Sequence, residues 1–174
     1  VVEEARRYGL TTRILQVPSI FIGSADVLPL QMVSAFSVPA TLGVRASPIG
    51  IIRVEDADGT VLWRPTQRRE RVMGPDQAFV LNDMLKGVIR GGTATSAVRN
   101  AGFTIPAGGK SGTTNDYTDV WFIGYTRELV AGVWMGMDQP QPIRAGAQGG
   151  RLAAPAWANF MREVYERRPN PGDW

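Results

Sequence analysis

Histidine and cysteine are both absent from the 174 residues, so any acid–base or nucleophilic chemistry must come from Ser, Thr, Lys, Tyr, Asp or Glu. Thiolate nucleophiles, disulfides, histidine-based triads and the commonest zinc sites are thereby excluded. The stretch that concentrates the remaining chemistry is AGGKSGTTNDYTDVWFIGYT, Ala107 to Thr126. It holds Lys110, one of two lysines in a chain otherwise charged positive by arginine. Glycines precede this lysine, and Ser111, Gly112, Thr113 and Thr114 follow it.

Three readings compete for that stretch. A phosphate-binding loop needs Gly, four residues, then Gly-Lys-Ser/Thr. Gly109-Lys110-Ser111 satisfies the end, but the first glycine falls at Thr104. A phosphate loop must also open a helix, and here the Asn115-Asp116 turn signal and an aromatic, β-branched run follow. The second reading is an ordinary strand end with a surface lysine. The third is an active-site strand. There the lysine supplies positive charge, the hydroxyls hydrogen-bond a substrate carboxylate, and a backbone N–H faces a developing oxyanion. A bare glycine lets the chain run close to a nucleophile.

The elements that must position these residues are legible from pattern. DVWFIGYT and LVAGVWMG, separated by Arg127-Glu128, predict a tight antiparallel hairpin. Gly109 to Thr114 is expected to be extended and to pair with Asp119 to Thr126. GPDQAFVLNDMLKGVIRGG reads as a helix, with Pro75 at its start and Ala78, Leu81, Leu85 and Val88 at helical spacing. Lys86 on it reads as a solvated charge. VVEEARRYGL reads as a helix end closed by Gly9. In LPLQMVSAFSVPATLG, Pro29 suits a first turn, Leu30, Val33 and Phe36 share a candidate buried face, and Pro39 should kink or end the helix. IGIIRVEDADGTVLWRP predicts a hairpin of Ile49–Val54 and Thr60–Trp63 about Asp58-Gly59. RLAAPAWANFMREVYERR predicts an amphipathic helix with Trp157, Phe160, Met161 and Val164 on its apolar face. The basic run Arg64 to Val72 contains no aromatic and reads as a solvated connector rather than a nucleic-acid site. The net charge is only +3, and no apolar run approaches the roughly 20 residues of a membrane span.

Several segments, in order, resemble the transpeptidase (penicillin-binding) domain of bifunctional class A penicillin-binding proteins. AGGKSGTTNDYTDVWFIGYTRELVAGVWMGMD is similar to that family's K-T/S-G strand and its next two strands. VIRGGTATSAVRNAGFTIP resembles the approach to it, PSIFIGSADVLPLQMVSAFSVPATLG an earlier helix, and QGGRLAAPAWANFM the glycine loop and closing helix. The likeness covers residues 1–168 as a C-terminal portion of that domain, with 169–174, PNPGDW, as a tail or the start of a linker.

The resemblance implies an α/β fold, a partial version of the one shared with serine β-lactamases: antiparallel strands covered by a C-terminal helix. It implies Lys110 as the motif lysine polarising the cleft. Ser111 and Thr113 would offer hydroxyls to the substrate carboxylate, Gly112 would allow close approach, Thr114 would complete the substrate-binding stretch, and the Thr113 N–H would be an oxyanion donor. Ser111 stands where threonine is commoner and keeps the hydroxyl. The implied activity is D,D-transpeptidation, serine acyl transfer that cross-links peptidoglycan stem peptides and that β-lactams inhibit. It calls for no metal or organic cofactor, no nucleic-acid partner, and a site outside the cytoplasmic membrane, anchored upstream.

The family's other two elements are missing. The residues three before Lys86 and Lys110 are Asp83 and Ala107, so no S-x-x-K is present to supply the nucleophile. None of Asn82, Asn100, Asn115, Asn159 and Asn170 has serine two residues earlier, so no S-x-N is present either. Both elements precede this segment in the family. Together with Val1 in place of an initiator methionine, this implies an excised or truncated domain, inactive alone, whose partner is the missing upstream part. Asp116 and Asp119 read as turn acids, not as an alternative nucleophilic pair. Two further readings remain: a non-catalytic remnant or interaction module of the same fold, and a β-lactamase-type hydrolase, which would need an S-x-x-K of its own.

Overall fold

The computed structural model describes residues 1–174. Its organising layer is a three-stranded antiparallel sheet, β5 (Gly108–Thr113), β6 (Val120–Tyr125) and β7 (Val130–Met135), in that spatial order. The register runs Gly108↔Tyr125 to Thr113↔Val120, then Val120↔Met135 to Tyr125↔Val130. This is the expected hairpin and the expected extended motif strand, with β5 at the edge. The other elements are α1 (Val2–Arg7), α2 (Pro29–Ala35), α3 (Ser37–Ala40), α4 (Pro75–Arg90), α5 (Thr95–Asn100) and α6 (Gly149–Tyr165). β1 (Val44–Ala46) pairs with β4 (Arg69–Arg71), and β2 (Val54–Glu55) with β3 (Val61–Trp63).

One sheet face is roofed by α6 and α5 around Trp157, Phe122, Val120, Phe103 and Met161. The Trp157 ring meets Phe103 and Phe122 edge-on at 5.4 and 5.3 Å, and its indole N–H donates to the Gly124 carbonyl at 3.2 Å. Gly124 is bare because that ring lies against it. The buried stripe of α6 is Ala153, Ala154, Trp157, Ala158 and Met161, an i, i+3/i+4 face paved with alanines. Small residues let the helix sit close to the sheet. Phe160, expected on this face, lies about 100° away from Met161 by helical geometry and is 55% exposed.

Other expectations are corrected locally. Leu30 is exposed, not part of a buried face with Val33 and Phe36. The break between α2 and α3 falls after Ala35. Pro39 has no N–H to give the Ala35 carbonyl four residues back, and its ring would clash there. The β2–β3 hairpin forms about Asp58-Gly59, but Ile49–Ile52 stay outside it. The basic connector contains the short strand β4. Lys86 is not a solvated charge: it is 7% exposed and ion-paired with Asp173. The tail read as the start of a linker packs back on the body, with the Trp174 indole N–H donating to the Ala40 carbonyl at 2.7 Å.

Large apolar side chains remain uncovered elsewhere. Phe21, Ile22, Leu28 and Leu30 are exposed before and at the start of α2, as are Phe79, Val80 and Met84 on α4.

Candidate active site

The motif strand is held flat against β6 by its glycines. A methyl on Gly108 would lie 2.6 Å from the Tyr125 hydroxyl, and one on Gly109 would lie 2.8 Å from the Phe122 ring. Gly112 differs: a methyl there would meet only the Trp121 Cβ at 3.4 Å, an ordinary contact.

Ladder alternation decides what the strand presents. The Thr114 N–H donates to the Asp119 carbonyl at 3.1 Å, so 114/119, 112/121, 110/123 and 108/125 are the hydrogen-bonded pairs. The N–H and C=O groups of Gly109, Ser111 and Thr113 therefore point away from β6, to the open edge. The Lys110 side chain confirms it, since Nζ donates to the Ser111 carbonyl at 2.6 Å. Lys110 is exposed and makes no ion pair. The strand edge thus offers an ammonium and the Thr113 N–H together.

The hydroxyls are less free than the sequence suggests. Ser111 Oγ shares a 2.9 Å hydrogen bond with Thr93 Oγ1, a residue sequence reasoning missed. Thr113 Oγ1 accepts the Gly149 N–H at 3.0 Å and so caps the start of α6, keeping its own proton to donate. Thr114 Oγ1 accepts the N–H groups of Thr118 and Asp119 at 3.0 and 2.9 Å and so organises the turn. Asp119 is occupied as well, accepting from the Trp134 indole at 2.8 Å and from the Thr118 hydroxyl at 2.9 Å. Asp116 is exposed in the turn.

Gly149 and Gly150 make the close fit of α6 possible. A methyl on Gly149 would collide with the carbonyl oxygens of Trp121 and Gly112, and one on Gly150 with that of Thr93. A groove of about 720 Å³ runs beside the strand end, with Gly112, Thr113 and Thr114 on one wall and the Ser19–Pro29 loop on the other. No serine paired with a lysine base lines it.

The penicillin binding protein transpeptidase domain model matches residues 16–162, most of the chain. The chain belongs to the penicillin-binding transpeptidase family. Penicillin-binding protein 1A of Aquifex aeolicus is 34% identical over 170 residues, covering 98% of this chain and 23% of that protein. Penicillin-binding protein 2D of Bacillus subtilis is 33% identical over 174 residues, covering 97% of this chain and 25% of that one. The chain thus spans about a quarter of the length of these relatives. Penicillin-binding protein 1A from Haemophilus influenzae shares the fold, with a TM-score of 0.87 at 22% identity over 95% of this chain and 30% of that one.

Proposed function

We propose that this chain forms one wall of the cleft of a peptidoglycan D,D-transpeptidase, the C-terminal part of a class A transpeptidase domain. The observation that carries the reading is the free edge of β5, where Lys110 and the Thr113 N–H face away from the sheet. A serine delivered to that edge would attack the penultimate D-Ala carbonyl of a stem peptide. The carbonyl oxygen, now negative, would be met by the Thr113 N–H. The terminal D-Ala would leave with a proton, and an amine from a second stem peptide would take the acyl group. Lys110 would stabilise the negative charge in the cleft. Ser111 and Thr113 would turn hydroxyl protons to the substrate carboxylate, with Thr114 holding the turn behind them. Gly112, bare without any packing demand from the chain itself, keeps that space open.

Lys110 with no partnered serine is half of the apparatus, because a nucleophile and its base must lie within hydrogen-bond reach. The serine and its base therefore come from an upstream segment. The relatives' names imply binding of penicillin, and their family implies work at the cell envelope, outside the cytoplasmic membrane.

The test is a mass measurement after incubation with a labelled penicillin. The 174-residue chain alone is expected to gain no adduct. The protein with its in-frame upstream segment is expected to gain one, slowed about 10²–10³-fold by Lys110→Ala, the usual effect of losing one electrostatic contributor. An adduct on the chain alone would overturn the shared-cleft reading, and full-rate acylation of the Lys110→Ala protein would overturn the lysine's role. A competing reading, a non-catalytic module of the same fold, requires that even the completed protein not acylate.

A further inference from the structure

The tail and the motif strand are joined by one chain of contacts on the sheet face opposite α6. Asp173 pairs with Lys86, lies 3.9 Å from Arg90 and accepts the Arg127 guanidinium on its backbone carbonyl at 3.0 Å. Those partners come from α4 and from the β6–β7 turn. Trp174 follows: its indole N–H is fixed on the Ala40 carbonyl of α3, and Lys86 Nζ sits 5.4 Å over its ring. The same ring stands edge-on to Tyr125 at 5.6 Å and 78°. Tyr125 is fully buried, and its hydroxyl donates to the buried Asn82 of α4 at 2.9 Å. Its ring is also what Gly108, the first residue of the motif strand, rests against. One residue, Gly109, separates Gly108 from Lys110.

We propose that Trp174 and Asp173 are positioning residues for the Lys110 strand, acting through Tyr125 on Gly108. The proposal rests on the acyl-transfer reading of that strand. The tail fixes the Tyr125 ring from behind. The ring, bonded to Asn82, sets the height at which Gly108 enters the sheet. β5 is an edge strand with one ladder only, so its far side has no second strand to hold it. A shift there moves the Lys110 ammonium and the Thr113 N–H relative to the reacting carbonyl. Phe in place of Trp174 keeps a ring against Tyr125, gives up the bond to Ala40 and weakens the contact with Lys86.

The experiment uses the full-length protein containing this segment, with Trp174→Ala, Trp174→Phe and Asp173→Asn. Acylation by a fluorescent penicillin is followed over a range of concentrations and normalised to titrated active sites, separating binding from the acylation step. Amide hydrogen exchange is compared between Gly108–Ser111 and Ala153–Met161. Trp174→Ala is expected to slow the acylation step by up to about 10²-fold, the scale of an ångström-level misplacement, with Trp174→Phe restoring most of the rate. Exchange should quicken at Gly108–Ser111 and stay unchanged in Ala153–Met161. Unaltered acylation per site with unaltered exchange in Trp174→Ala overturns the proposal. So does exchange that rises equally in both segments, which marks plain destabilisation. If Trp174→Ala does not fold, Asp173→Asn decides by the same two readouts. If the wild-type protein does not acylate, the acyl-transfer reading fails, and exchange at Gly108–Ser111 alone decides whether the tail positions the strand.

Discussion

Gly149→Ala and Gly87→Ala add the same methyl group to a helix, and the structure gives them opposite signs. Within a helix, Ala is favoured over Gly by about 0.8–1.0 kcal/mol. At Gly87, in the last turn of α4, nothing lies within 4 Å of the added carbon. That variant should gain up to about 1 kcal/mol. At Gly149 the methyl runs into the carbonyls of Trp121 and Gly112 and lies 3.2 Å from the Gly112 nitrogen. These are backbone atoms of one hydrogen-bonded pair and cannot rotate aside as a side-chain tip can. Overpacking of this kind costs about 1–3 kcal/mol. Backing α6 away also weakens the 3.0 Å bond from Gly149 to Thr113 Oγ1, a further 0.5–1.5 kcal/mol or so. The helical gain is smaller than either at a first-turn position, so a net loss of roughly 1–3 kcal/mol is expected. The melting transition of the domain should therefore fall. The assay is calorimetry of the full-length variants together with the penicillin acylation rate, because the collision presses directly on Gly112 of the motif strand. A Gly149→Ala protein that melts as high as Gly87→Ala and acylates at the wild-type rate would refute the close approach of α6 to the motif strand.

Tyr125→Phe should cost about 1–3 kcal/mol by leaving buried Asn82 without its partner, measured by denaturant titration. Burial pushes the Tyr125 phenol above its ordinary range. The unfolded chain therefore ionises first, and stability should decline as pH rises beyond about 10; Tyr125→Phe should show a shallower alkaline decline. The hydrogen bond from Lys86 lowers the Asp173 carboxyl below its usual range. Its contribution is present above the ordinary carboxylate pKa of about 3.9 and is lost as pH falls through the lowered value, so Asp173→Asn should flatten the acid limb of a stability–pH curve. The isolated chain, with Phe21, Ile22, Leu28 and Leu30 uncovered, should associate in light scattering, and the upstream segment should suppress this; a monomer that unfolds cooperatively would contradict it.

What the sequence made legible was local. β6 and β7 announce themselves through aromatic and β-branched runs about a short turn, α4 through its period and the proline at its start, and α6 through its amphipathic pattern. The extended form of β5 and its pairing with β6 followed from the same run and the Asn115-Asp116 turn signal; its place at the edge is a finding of the structure. The misses came from long-range packing. Lys86 meets Asp173 across 87 positions, so a helical lysine read as solvated became a buried anchor, and a Pro- and Gly-containing tail became part of the body. Phe160 has the i, i+3 spacing from Trp157 that marks an apolar face, yet it lies exposed, because α6 approaches Gly124 closely enough to want alanines against the sheet. Thr93 had no motif to mark it; its only cue was its place just after the Gly91-Gly92 stop. The hydroxyls of Thr113 and Thr114 also cap α6 and order the turn, structural roles that the motif does not mark.

The shared-cleft account is tested most directly by the structure of the completed protein after acylation by a penicillin. The measurement is the distance from the Thr113 backbone nitrogen to the acyl carbonyl oxygen. The expected value is about 2.7–3.1 Å, the reach of an oxyanion donor, with the acyl serine supplied from upstream of Val1 and Lys110 Nζ turned toward the cleft. A carbonyl oxygen held elsewhere, with the edge of β5 facing solvent, would contradict the assignment of this strand as the catalytic wall.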